Sequence, residues 1–206
     1  MIKEAKERTI KLQLKMQKLN IPLAIFTDEN SIAYLAGFWG YLGVEFGRPT
    51  MLIIFANSDP LIITPLVEAE MVSEMTWVKK IDIWEDTGEN TWSRYLYSAI
   101  NSTIGNNPKS LWIENKQMPQ IVKIFLDENF KLTKIEDIGS ILGEMRSIKS
   151  PLEINIMKQA GLVGGAMMKA AHESLSEGIP EYESALSVIK AGTRKAAGFL
   201  TDKGWE

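Results

Sequence analysis

The sequence predicts an α/β fold with a mixed sheet, followed by a stretch that is helical only. Three observations carry this. Up to about Leu142, short apolar runs alternate with segments of helical spacing. One pair of runs, Met51 to Phe55 and Leu61 to Thr64, is separated only by turn chemistry, so a hairpin interrupts the alternation and the sheet must be mixed. After Arg146 to Pro151 the rest of the chain follows helical spacing.

The first element is an amphipathic helix over Ile2 to Leu19. Ile2, Ala5, Thr9, Leu12, Met16 and Leu19 recur three or four residues apart, with Lys and Glu between them. Asn20 and Pro22 stop it. Leu23 to Phe26 is a buried-strand candidate. Asp28 to Ser31 supplies capping residues for a short helix over Ile32 to Leu35, which Gly37 ends. Phe38 to Gly47 is rich in aromatics and glycine and reads as a loop. The hairpin follows, with Asn57 to Pro60 as its turn.

Pro65 opens the next helix, which runs through Glu68, Glu70 and Met75. Lys80 to Trp84 is strand-like, Trp92 to Ile104 helical, and Leu111 to Ile113 a strand. Pro119 to Asn129 is a helix, Lys131 to Ile135 a weak strand, and Asp137 to Leu142 a short helix. A domain boundary falls at Arg146 to Pro151, giving residues 1–145 and 146–206. Ser150 then caps a helix with Pro151 at its first position and Glu153 in its first turn. Gly161, Gly164 and Gly165 cost that helix roughly 1 kcal/mol each relative to alanine, and close packing against a sheet is the expected reason to keep them. Gly178 ends it. Pro180 and Glu181 open a last helix towards Phe199. Two helices cannot bury an apolar face by themselves, so the chain reads as cut short within its second domain.

Composition narrows the function. The 206 residues carry a formal charge of -3, which argues against a nucleic-acid partner. Apolar runs such as Thr50 to Ala56 are far too short to span a membrane, and Met1 to Lys15 lacks a secretory apolar core. With no cysteine there is neither a disulfide framework nor a thiolate metal site, and a cytoplasmic setting is expected.

Catalytic motifs are absent. HExxH, GxSxG, GxGxxG and the P-loop pattern do not occur, and the single histidine, His172, reads as a surface or packing residue. A hard cation could take carboxylates alone, from Glu68 with Glu70, Asp82 with Glu85 and Asp86, or Asp127 with Glu128. A solvated charged face explains each set better. The most unusual segment is the loop from Phe38 to Pro49. It sets Phe38, Trp39, Tyr41 and Phe46 among Gly37, Gly40, Gly43 and Gly47, with Arg48 at its end. Aromatics on such a loop suggest a contact surface, or else fold inward and cap the sheet; Arg48 could simply pair with Glu45.

Three landmarks in order carry a family resemblance. Asn30-Ser31-Ile32-Ala33-Tyr34-Leu35-Ala36-Gly37-Phe38 resembles the N-I-x-Y-L-T-G-F segment of the creatinase and Xaa-Pro dipeptidase amino-terminal domain. The hairpin followed by Thr64-Pro65 and Glu68 is similar to its next landmark. Arg146-Ser147-Ile148-Lys149-Ser150-Pro151-Leu152-Glu153-Ile154 resembles the junction where the catalytic domain of that family begins. The resemblance implies a ribonuclease-H-like amino-terminal domain followed by the first helices of a truncated pita-bread domain. It also implies a parent hydrolase of Xaa-Pro aminopeptidase, dipeptidase or creatinase type. Family metallopeptidases use two Asp, one His and two Glu around two divalent ions (manganese, cobalt or zinc), and creatinase works without metal; all those groups would lie after Glu206. No catalytic or metal-binding residue is therefore assigned in this chain.

The resemblance further implies a homodimer formed through the amino-terminal domain, with a loop reaching the partner's site. On that basis Phe38, Trp39, Tyr41 and Arg48 are the candidate substrate-pocket or dimer-loop residues, for a small peptide or amide substrate. The alternative reading is a non-catalytic peptide- or protein-binding module of the same fold.

Overall fold

The computed structural model describes residues 2–40, 42, 47–105, 109–131, 133–201 and 204–205. They fall into two compact units, Met1–Met145 and Arg146–Glu206. The first unit is built on a six-stranded sheet.

Helix α1 (Ile2–Lys18) buries Ala5, Thr9, Leu12 and Met16, the stripe that its spacing marks. Strand β1 (Leu23–Phe26) leads into α2 (Glu29–Ala36). The Asp28 carboxylate accepts from the Ser31 amide and caps this helix, starting it a turn earlier than the apolar residues alone suggest. Strands β2 (Met51–Phe55) and β3 (Leu61–Pro65) form the hairpin, with Met51 opposite Ile63 and Ile53 opposite Leu61. A 3-10 turn (Leu66–Glu68) comes before α3 (Ala69–Met75), so the segment after Pro65 is two short elements rather than one helix. Strand β4 (Lys80–Trp84), α4 (Trp92–Ile104), β5 (Ser110–Ile113), α5 (Gln120–Asn129), β6 (Lys134–Asp137) and α6 (Gly139–Ser147) complete the unit.

The sheet order is β4-β3-β2-β1-β5-β6. Strand β1 is antiparallel to β2 and parallel to β5, while β3–β4 and β5–β6 are parallel pairs. This is the expected mixed sheet. Its central strands are buried on both faces, which is why they read as unbroken apolar runs. Alternation then sorts side chains between two cores. Ala24, Phe26, Leu52, Ile54 and Ile62 pack with Leu12, Leu35, Val72 and Leu142 from α1, α2, α3 and α6. Leu23, Ile25, Met51, Ile53 and Ile63 pack with Leu96, Ile100, Val122 and Leu126 from α4 and α5. The result is a helix–sheet–helix sandwich.

Two boundaries differ from the sequence reading. The strand expected over 131–135 begins at Lys134, because the Thr133 amide first closes a turn onto the Phe130 carbonyl. Only then does the Lys134 amide reach the Lys109 carbonyl and start pairing. Asp137 belongs to that strand and not to the next helix. Its Oδ1 accepts from the Asn115 and Gly139 amides, and α6 runs on to Ser147.

The second unit is a helical hairpin, α7 (Pro151–Ser174) and α8 (Glu181–Ala197), followed by short strands β7 (Leu200–Thr201) and β8 (Gly204–Trp205). Ser150 and Glu153 form a reciprocal capping box at the start of α7. That helix ends at Ser174, before Gly178, whose φ of +84° turns the chain towards α8. Among the described residues a Cβ at Gly161, Gly164 or Gly165 would meet nothing within 4 Å, and no sheet lies against this face of α7. The tight approach lies elsewhere. A Cβ on Gly192 would come within 2.8 Å of the Met167 side chain, which would have to shift to admit it.

Candidate functional site

The segment after α2 starts from a fixed point. Gly37 has a φ of +85°, and its amide donates to the Ala33 carbonyl to close the helix. A Cβ there would sit 3.2 Å from the Met75 carbonyl oxygen and would be strained by the backbone as well. The neighbouring carbonyls are tied down by side chains. Thr76 Oγ1 donates to Ala36 at 2.7 Å, and Trp77 Nε1 donates to Leu35 at 2.9 Å.

From this point the four candidate residues separate. Phe38 turns inward, 1% exposed, and joins the core beneath α1 and α2. Trp39, the next residue, is 55% exposed. Tyr41 lies outside the described residues, as do Glu45 and Phe46. Arg48 is half-buried and donates from Nη2 to Asp86 Oδ2 at 2.5 Å. The structure therefore places Arg48 and Asp86 together, across the gap between the loop and the end of β4.

The return of the loop is equally fixed. Trp84 Nε1 donates to the Pro49 carbonyl at 3.1 Å. Thr50 Oγ1 lies 3.0 Å from Thr64 Oγ1, one step beyond the Met51–Ile63 pair, and donates to Glu68 Oε2 at 2.8 Å. Between Arg48, Leu66, Val67, Trp84 and Asp86 lies a groove of about 390 Å³. Leu66 and Val67 are exposed on its rim. Glu85 lines it as well, so the groove sets one cation and two carboxylates beside apolar surface.

The carboxylate sets do not form cation sites. Glu68 is buried and Glu70 exposed, so the two point apart. Asp86 is taken by Arg48, and Asp127 and Glu128 lie on the solvent side of α5. Burial on edge strand β4 raises the pKa of Asp82, against a smaller lowering by Lys80. His172 is exposed near the end of α7. Among the described residues there is no group of three or more His, Cys, Asp or Glu able to hold a metal ion. The described side chains thus do not fit a two-metal centre, and no catalytic step is derived through one. Also among the described residues, no helix is long and apolar enough to cross a membrane.

Sequence reasoning missed two buried polar knots. One is Thr50–Thr64–Glu68 at the root of the loop. The other joins Ser31 Oγ to Glu114 Oε1 at 2.6 Å and to Asp28 Oδ2 at 3.1 Å. The second tethers the start of α2 to the end of β5. A signal existed for the first: threonines flank the two hairpin strands at matching positions, with a carboxyl group four residues after the second.

The first unit is thus a helix–sheet–helix domain on a six-stranded mixed sheet, and a helical unit follows it in the chain. The chain belongs to the Creatinase/Prolidase N-terminal domain family, whose model matches residues 8–148. A creatinase from Bacillus sp. (strain B-0618) is 26% identical over 198 residues, covering 94% of this chain and 46% of that protein. An uncharacterized peptidase of Staphylococcus epidermidis is 27% identical over 168 residues, covering 82% of this chain and 44% of its own. The chain thus spans about half the length of the curated relatives it matches.

Among solved structures, a recombinant prolidase from Thermococcus sibiricus superposes with a TM-score of 0.76 at 22% identity, over 90% of this chain and 48% of that one. The Creatinase/Prolidase N-terminal domain of an X-Pro dipeptidase from Streptococcus pyogenes superposes at 0.56 and 16% identity, over 68% of this chain and 98% of that domain. At these identities the likeness is one of fold. The fold is the expected one: the amino-terminal domain of this family, with its mixed sheet.

Proposed function

We propose that this chain is the amino-terminal portion of a metallohydrolase that acts on Xaa-Pro peptides or a related small amide. It shapes a substrate pocket and mediates dimer contacts, and the metal-centred chemistry belongs to the remainder of a longer protein. Residues 1–145 are the pocket-shaping domain and residues 146–206 the start of the pita-bread catalytic domain. The loop from Phe38 to Arg48 faces the catalytic site of a second copy. The observation that carries this is Trp39. It stands 55% exposed between a buried phenylalanine and a glycine pressed against Glu68, on a loop whose two ends are fixed by hydrogen bonds. A large aromatic held outward at a fixed place is what a pocket wall in a neighbouring subunit requires. The Creatinase/Prolidase family membership and the likeness to peptidases and creatinase support the substrate class.

In this reading Arg48 serves as the cation for the substrate carboxylate. Asp86 holds it in the free state, and an exposed pair of this kind is weak enough to exchange for a better partner. In the full-length enzyme, Trp39→Ala and Arg48→Ala should each raise KM for an Xaa-Pro dipeptide by about tenfold, with kcat within about twofold. Unchanged kinetics in both variants would overturn the pocket assignment. The pure 206-residue chain, supplied with manganese, cobalt or zinc, should not cleave such dipeptides, and measurable turnover would contradict the division of labour.

A further inference from the structure

Glu68 is out of place for a surface glutamate. It is 2% exposed, at the end of the 3-10 turn that follows β3. Burying a carboxyl group is costly unless both oxygens find partners. Here Oε2 accepts from Thr50, while Oε1 has no hydrogen-bond partner among the described residues. Glu68 lines a small void of about 10 Å³ together with Thr27, Glu29, Ile32, Phe38, Gly40 and Thr50. Such a space is about one water in size. The loop backbone runs directly over it: a Cβ added to Gly40 would stand 2.7 Å from Oε1 and 2.9 Å from the Phe38 ring.

One carboxyl group therefore touches both limbs of the loop. Through Thr50 it holds the returning limb, and by contact it sets the height of the outgoing limb at Gly40. The two exposed loop side chains sit next to these fixed points. Trp39 lies between Phe38, which is buried, and Gly40. Arg48 lies two residues before Thr50, with Pro49 held by Trp84 between them. We infer that Glu68 is the positioning residue of the Phe38–Pro49 loop, setting where Trp39 and Arg48 stand without itself touching a ligand. This inference rests on the reading of the loop as a pocket wall, but its structural half can be tested separately.

The test is hydrogen exchange of the whole chain, read on peptides covering residues 38–49 and, as a control, α1 and β1. In Glu68→Ala the loop amides should exchange about tenfold faster than in the parent, with the control peptides unchanged. Gly40→Ala, which drives a methyl group into the same oxygen, should loosen the loop similarly. The double variant should show less than the sum of the two effects, because the truncated side chain makes room for the methyl. Should Glu68→Ala fail to fold, Thr50→Val, which removes the donor to Oε2, and Gly40→Ala carry the same comparison. Loop exchange that stays at the parent rate in folded variants would overturn the positioning role. Kinetics then separate the two claims. If the loop loosens and KM for an Xaa-Pro dipeptide rises in the full-length enzyme while kcat holds, both stand. If the loop loosens and KM does not move, Glu68 positions the loop but the loop is not a pocket wall.

Discussion

The two units of this chain solve the burial problem differently. In Met1–Met145 every residue of β1, β2 and β3 is buried, and helices cover both faces of the sheet. In Arg146–Glu206 the 24-residue helix α7 has no buried residue, and Met168 is 72% exposed. The second unit is nonetheless well specified locally. It has a complete capping box and a glycine, Gly192, facing the Met167 side chain across the helix pair. Local signals are thus enough to write a helix, but only a covering layer makes it stable. The contrast places the stability of the chain in the first unit and leaves the second dependent on further contacts.

The largest effect that sharpens this contrast comes from equivalent truncations in the two units. Leu12→Ala removes a fully buried side chain from α1 and should destabilise the first unit by about 2–5 kcal/mol in denaturant titration. Leu186→Ala, on the open face of α8, should change nothing beyond about 0.5 kcal/mol. A large loss from Leu186→Ala would mean that this face is covered. Next comes the capping box. Ser150→Ala removes the acceptor for the Glu153 amide and should cost α7 about 1 kcal/mol. The loss should appear as faster exchange in residues 151–160, with the unfolding midpoint of the first unit unmoved.

The smallest effect concerns pH. The pKa of Asp82 is raised by burial, so folding penalises its charged form. The folded state then holds the proton more tightly than the unfolded chain, and stability falls as pH rises from the unfolded value, about 3.9, through the folded one. Asp82→Asn should therefore raise the melting midpoint at pH 7 by no more than about 2 °C, and the gain should vanish below the unfolded pKa. A gain that persists at low pH would assign the effect to something other than ionisation.

The order of elements was legible because apolar spacing reports burial directly. The stripe from Ala5 to Met16 and the runs Leu23–Phe26 and Met51–Phe55 each face a core in the way their pattern indicates. The Ser150–Glu153 box was legible because capping is a local matter. The root of the loop was not. Glu68 looks like one of two exposed glutamates in a helix opened by Pro65, but the chain makes a separate 3-10 turn first. At three residues per turn, Glu68 falls in line with the buried Pro65 and follows it inward, while Glu70 on α3 stays outside. The split between Phe38 and Trp39 was hidden for a similar reason, since the aromatic loop has no period from which to read a face. Gly192 was not legible either, because a sequence shows the cost of glycine in a helix but not which neighbour takes the space; here it is the Met167 side chain.

Hydrogen exchange over the whole chain tests the division between the units most directly. The amides of β1, β2 and β3 should exchange slowly, limited by global unfolding of the first unit, and those of α7 and α8 faster by orders of magnitude. Equal protection across residues 1–145 and 151–197 would contradict it, for it would mean that the two helices already share a covered core.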